Sequence, residues 1–137
     1  MPQSEPLSLT GVWDGQYSYP RGLAPVHFTA VILQTGSVFS GTTYEQPTQG
    51  PSAGKTLNAT IDGEQLGSAV SFTKIYDPVH KTHGRPIRYE GALSADGNEI
   101  DGKWTILGAL SGKFLMIRSG RQATAAKARK RTTVPAG

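Results

Sequence analysis

Hydrophobic and polar positions alternate residue by residue along much of this chain. In the stretch 9–19, LTGVWDGQYSY, one face carries Leu9, Trp13, Tyr17 and Tyr19 together with two glycines, and the other face is mainly polar. Side chains of a β-strand point alternately to its two faces, so this pattern predicts a half-buried strand. The strand has a Trp low on its inner face and two Tyr above it.

Similar stretches recur at short intervals and predict eight strands without an internal helix. Glycine (17 residues) and proline (9 residues) mark most of the breaks between them, since both interrupt regular structure. The dipeptide Asp96-Gly97 is a strong hairpin signal. Asp62-Gly63-Glu64 is interpreted as the end of the fourth strand. The predicted strands span about 9–19, 27–34, 38–46, 57–61, 68–76, 87–93, 99–107 and 112–118.

Eight short strands joined mostly by tight turns predict an all-β fold, an eight-stranded antiparallel up-and-down β-barrel. Closing the sheet removes its edges, which otherwise promote aggregation. A two-sheet sandwich is the alternative. The predicted organisation is a flexible leader at 1–8, a single barrel domain at 9–119 and a basic C-terminal tail at 120–137.

Composition narrows the function classes. The 137 residues suffice for one core, and the absence of cysteine excludes disulfides and thiolate chemistry. The net charge of +4 is concentrated in the tail, so nucleic acid is not an expected partner of the barrel. The N-terminus resembles no secretory signal, which favours a cytoplasmic location, although a signal removed earlier leaves export open. No stretch approaches the roughly 20 apolar residues of a membrane helix.

The sequence Gly11-Val12-Trp13 resembles the Gly-x-Trp signature of the calycin superfamily, which includes lipocalins, fatty-acid-binding proteins and avidins. In lipocalins an Arg of the last strand covers the Trp at the closed end. Arg118 stands at the matching place here, so the resemblance implies a structural cation–π pair between Arg118 and Trp13.

The avidin branch fits the chain length best, and the stretches 39–45 and 103–107 resemble its third and seventh strands. The biotin-binding residues of that branch are not matched. The inward positions after the first Trp are Gly15, Tyr17 and Tyr19, and no Trp follows Trp104. Biotin is therefore not the expected ligand.

Aromatic and imidazole side chains are the candidate ligand-binding groups. A pocket lined by aromatic rings with a few hydroxyl groups suits a flat or apolar molecule. The alternative is that these rings are ordinary core. His27 is a candidate hydrogen-bond partner or general base if it points inward. The candidate ligand-binding residues are Tyr17, Tyr19, His27, Tyr44 and Trp104.

Other polar groups are interpreted as surface features. His80 and His83 with Asp77 have ligand chemistry suited to zinc, but a loop containing proline and glycine does not preset the geometry, and no metal or other cofactor is predicted. The basic stretch 127–131 is interpreted as a solvated tail. Charged side chains on strands usually face water, so outward positions are predicted for Asp14, Glu45, Glu90 and Asp101.

The sequence therefore predicts a small-molecule-binding barrel for an apolar or aromatic ligand, entered between the loops 20–26, 47–56 and 77–86. The alternative is an interaction or inhibitor domain with a packed interior that acts through its loops, as some bacterial calycin-like proteins do. An enzyme is the least favoured class. The resemblance is also compatible with a homo-oligomer formed through barrel faces.

Overall fold

The computed structural model describes residues 7–20, 24–48, 53–77 and 85–120. All regular structure in these ranges is β-strand. No helix that could cross a membrane occurs in this part of the chain. The predicted leader 1–8 and tail 120–137 lie mostly outside it. The eight strands are β1 (Gly11–Ser18), β2 (Val26–Thr35), β3 (Val38–Glu45), β4 (Leu57–Leu66), β5 (Ala69–Tyr76), β6 (Ile87–Leu93), β7 (Glu99–Ile106) and β8 (Leu110–Arg118).

The strands form a closed barrel in sequence order. Each pairs antiparallel with its neighbours in the chain, and β1 also pairs with β8, with Trp13 opposite Arg118 and Tyr17 opposite Phe114. This confirms the predicted eight-stranded antiparallel up-and-down barrel. Closure gives every strand two neighbours, so no strand edge of the sheet is left unpaired.

Strand β4 differs from the sequence prediction because it continues through Asp62-Gly63-Glu64 to Leu66. Gly63 faces inward, and a Cβ there would lie 2.1 Å from the Ser71 carbonyl oxygen and within 3 Å of two aromatic side chains. The glycine therefore allows a close approach inside the strand. The turn comes later, at Gly67, whose φ of +63° suits glycine.

The two ends of the barrel differ in their connections. At one end, called here the turn end, the strands are joined by residues 36–37, 67–68 and 94–98. At the other, called here the loop end, the connections are 19–25, 46–56, 77–86 and 107–109. The predicted entrance loops all lie at the loop end, and they include residues outside the described ranges.

The turn end is closed by Trp13 and Arg118. The Arg118 guanidinium carbon lies 4.5 Å from the centroid of the Trp13 ring, as the cation–π prediction requires. Arg118 also donates hydrogen bonds to the carbonyl oxygens of Ser8, Thr10 and Gly97, at 2.8, 3.0 and 2.9 Å. Trp13 is fully buried. These contacts join the segment before β1 to the last strand and to the β6–β7 turn.

Candidate functional site

The inner face at the loop end contains a buried polar cluster. Glu45 at the end of β3 and Lys74 near the end of β5 are 3% and 1% exposed, although charged side chains are rarely buried this completely. Tyr17 from β1 and Tyr76 from β5 complete the group. These four residues are called here the Glu45 cluster, and they bring three strands together inside the barrel.

Three donors converge on the Glu45 carboxylate. Lys74 Nζ donates to Oε1 at 2.9 Å, and the Tyr17 hydroxyl donates to Oε2 at 2.5 Å. The Tyr76 hydroxyl lies 3.0 Å from Oε1 and 3.1 Å from Oε2. Hydrogen bonds to an ionised acceptor are strong, and together they offset the cost of burying the charge.

Aromatic rings surround the Lys74 ammonium. Its Nζ lies 4.7 to 4.9 Å from the ring centroids of Tyr76, Tyr17 and Phe28, and 5.8 Å from that of Tyr89. The negative faces of these rings attract a cation, so they replace part of the lost hydration. Burial nevertheless lowers the pKa of Lys74, and the adjacent Glu45 charge opposes that shift.

The same environment disfavours phenolate. Burial raises the pKa of Tyr17 and, to a smaller extent, that of Tyr76, and the charge of Glu45 adds to both shifts. The pKa values of Tyr89 and Tyr19 are also raised, mainly by burial. The phenols at this end therefore act as neutral hydroxyl groups over the physiological pH range.

A half-buried rim lies at the loop end, beside the cluster. Tyr19 packs edge-on against Trp104, with ring centroids 5.4 Å apart, and against Tyr17 at 5.9 Å. The Trp104 indole is held in place because its Nε1 donates to the Ser18 carbonyl oxygen at 3.0 Å. The partly buried apolar and aromatic side chains that pack on the core are Tyr19, Val26, Tyr76 and Ile106. Tyr19 directly follows β1, and the other three are the loop-end terminal residues of β2, β5 and β7.

The middle of the barrel is packed with aromatic rings. Phe72 stacks on Tyr89 at 4.7 Å and lies edge-on to Phe39 at 6.0 Å. Phe114 is edge-on to Tyr89 at 4.9 Å. From the loop end inward, the rim and the Glu45 cluster therefore come first, and the packed rings lie beyond them.

Three of the five predicted ligand-binding residues, Tyr17, Tyr19 and Trp104, lie together at this end. The inward positions considered for His27 and Tyr44 are wrong, because both side chains are exposed on the outer face. The alternation explains both, since Phe28 occupies the inner position next to His27, and Glu45 the one next to Tyr44.

The sequence prediction missed the Glu45 cluster. Asp14 and Glu90 are exposed as predicted, and Asp101 is half-buried, but the outward position predicted for Glu45 is wrong. The two-residue alternation of the strands could have revealed the cluster. In β5, buried Val70 and Phe72 place Lys74 and Tyr76 on the same face.

A zinc site at Asp77, His80 and His83 was considered from the sequence but not predicted. Asp77 follows β5 directly, whereas His80 and His83 lie outside the described residues. Within the described ranges no group of three or more His, Asp or Glu side chains is arranged to hold a metal ion. Glu45 already accepts hydrogen bonds from three donors.

No protein-family model matches the chain, and no curated protein matches it. The class of protein is therefore defined by the fold and the site alone. The chain is a closed eight-stranded up-and-down β-barrel, consistent with a calycin-like fold, with a buried Glu–Lys–Tyr cluster at its loop end.

Proposed function

We propose that this chain is a small-molecule-binding barrel of the calycin type, and that it takes a flat aromatic ligand at the loop end. The observation that supports this most directly is the difference between the two ends. Trp13, Leu9 and Met116 are completely buried near the turn end, whereas the four rim side chains are only partly covered. Partly covered aromatic rings beside a few hydroxyl groups suit a flat ligand.

The relation to lipocalins and avidins is part of the proposal. Its support is the Gly11-x-Trp13 signature on β1 with Arg118 of β8 stacked on the Trp. The packed rings in the middle of the barrel favour a shallow site. The ligand would therefore lie across the rim formed by Tyr19 and Tyr76, with Trp104 beside it.

The test is thermal unfolding of the full chain with 2-methoxynaphthalene, a neutral flat probe. A ligand that binds only the folded state adds about 2.7 kcal/mol of unfolding free energy at about 100 times its Kd. We expect Tm to rise with probe concentration. Tyr19→Ala removes a rim ring and should weaken binding about tenfold, while Tyr44→Ala, on the outer face, should not.

Two results would overturn the proposal. One is a Tm independent of probe concentration for this and other flat aromatics. The other is equal weakening by Tyr19→Ala and Tyr44→Ala, because the ligand would then not be held at the rim.

The packed interior also suits a second function, an interaction domain that binds a partner protein through its long connections. Its support is that rings of β3, β5, β6 and β8 fill the middle of the barrel. This candidate predicts that no small aromatic molecule raises Tm. It also predicts that replacing the connections 46–56 and 77–86 with short turns abolishes partner binding while leaving the barrel folded.

A further inference from the structure

We propose that the Glu45 cluster makes the loop-end site selective for aromatic ligands whose polar group donates a hydrogen bond, and that it discriminates against carboxylates. This inference rests on the proposed function and specifies its ligand class. It follows from the positions of the hydrogens and charges of the cluster.

The hydroxyl hydrogens of Tyr17 and Tyr76 are already donated within the barrel. A phenol carries one hydrogen, and those of Tyr17 and Tyr76 both point to the Glu45 carboxylate. Neither hydroxyl has a second hydrogen for a ligand. A phenol oxygen accepts hydrogen bonds as well as donating one. The two hydroxyl oxygens lie 3.4 Å apart, and Tyr76 is half-buried at the rim, where a ligand would arrive.

The cation is enclosed. Lys74 is 1% exposed, its Nζ donates to Glu45, and four aromatic rings lie within 6 Å of that nitrogen. Two phenols and an ammonium group form a set of donors suited to binding a carboxylate. In this barrel that set holds the carboxylate of Glu45. An acidic ligand would therefore find these donors occupied.

The negative charge of Glu45 also disfavours an acidic ligand. Glu45 lies within hydrogen-bond distance of both hydroxyl oxygens, so a second negative group beside them would be close to a carboxylate of like charge. The raised pKa values of Tyr17, Tyr19 and Tyr76 have the Glu45 charge among their causes. A neutral O–H or N–H group meets no such repulsion.

The experiment compares three naphthalenes of similar size at pH 7 by calorimetry and thermal unfolding. These are 2-naphthol, which donates a hydrogen bond, 2-methoxynaphthalene, which does not, and 2-naphthoate, which is an anion. Loss of one hydrogen bond corresponds to about a tenfold change in affinity. We expect 2-naphthol to bind about tenfold more tightly than 2-methoxynaphthalene, and 2-naphthoate to bind at least tenfold more weakly than either.

The variants Tyr76→Phe and Tyr17→Phe identify the acceptor. Each keeps its ring and removes one oxygen, so the preference for 2-naphthol should fall to within about twofold in at least one of them, with little change for 2-methoxynaphthalene. Tyr44→Phe, on the outer face, is the matched control and should keep the preference. Circular dichroism of each variant establishes that the barrel is folded.

The outcomes separate this inference from the proposed function. Equal binding of 2-naphthol and 2-methoxynaphthalene, or tighter binding of 2-naphthoate, overturns the selectivity but leaves the ligand site. A preference that persists in both Tyr variants also overturns it, because the acceptor would then lie elsewhere. If none of the three probes binds, the proposed function itself fails.

Discussion

Lys74 and Glu45 form a buried ion pair, and each charge is tolerated inside the barrel because the other one is next to it. Two charged groups removed from water are tolerated because they pair with each other and with the surrounding hydroxyls and rings. The exposed pair of Arg88 and Glu90, with an N–O distance of 3.6 Å, is different because water screens it. Breaking the buried Lys74–Glu45 pair should therefore lower the free energy of unfolding more than breaking the exposed Arg88–Glu90 pair.

We expect Lys74→Met to lower the free energy of unfolding by about 3–5 kcal/mol, because it leaves the Glu45 charge buried without its cation. The double variant Glu45→Gln/Lys74→Met should lose less than the sum of the two single variants. Arg88→Met, the exposed control, should cost less than about 1 kcal/mol. Urea unfolding of the four variants measures these values, and an additive result for the buried pair would contradict the coupling.

The sequence indicated part of this site. Tyr17, Tyr19 and Trp104 follow from alternation with aromatic residues, because the strand period assigns them to the inner face. The general tendency of charged residues to face water led the prediction away from Glu45. That Lys74 is its partner could not be predicted, because the two residues are 29 positions apart on strands separated by β4.

At the scale of elements, β6 and β7 face each other with a glycine on each strand. Gly91 pairs with Gly102, and a Cβ at Gly102 would lie 2.0 Å from the Glu90 carbonyl oxygen. That atom belongs to the backbone, so a rotamer change cannot relieve the contact. The two strands would have to separate or shift to accept a methyl group.

Gly102→Ala should therefore lower the free energy of unfolding by about 1–3 kcal/mol, the usual cost of overpacking. Ser40→Ala is the control, since Ser40 is exposed on β3, and it should change the free energy by less than about 0.5 kcal/mol. Chemical denaturation measures both. If the two variants are equally stable, the strands at Gly102 are less tightly packed than described.

The strands show which features of the fold the sequence pattern is able to predict. The presence and order of all eight strands follow from alternation and turn residues. The end of β4 did not, because Asp-Gly usually signals a turn. Gly63 is instead required by the neighbouring strand and by the side chains of Phe72 and Phe39, contacts that exist only once the sheet has closed.

At the scale of the whole molecule, stability at alkaline pH depends on the interior phenols. The pKa values of Tyr17, Tyr19, Tyr76 and Tyr89 are raised above the ordinary value of 10.0. Above that pH the unfolded chain loses these protons and the folded barrel retains them. The stability present below pH 10 is therefore lost as pH rises. The lowered pKa of Lys74 acts in the opposite sense up to about 10.5, but involves one group.

We expect the barrel to unfold cooperatively above about pH 10, with phenolate absorbance and loss of circular dichroism rising together. Tyr89→Phe removes one of these protons and should make the pH dependence of unfolding shallower. Ionisation of the interior tyrosines while the circular dichroism stays intact would contradict this account, because the folded barrel would then admit phenolates.

The contacts of Arg118 also have a consequence for the timing of synthesis. Arg118 and its acceptor Ser8 are 110 positions apart, and β1 gains its second neighbour only when β8 has been made. At about 5–20 residues per second, the ribosome needs roughly 5–20 s to pass from the first strand to the last. During that interval Trp13 lacks its cation and β1 has an open edge. The newly made chain is therefore most exposed to aggregation before elongation ends, and completion of the barrel is a late event.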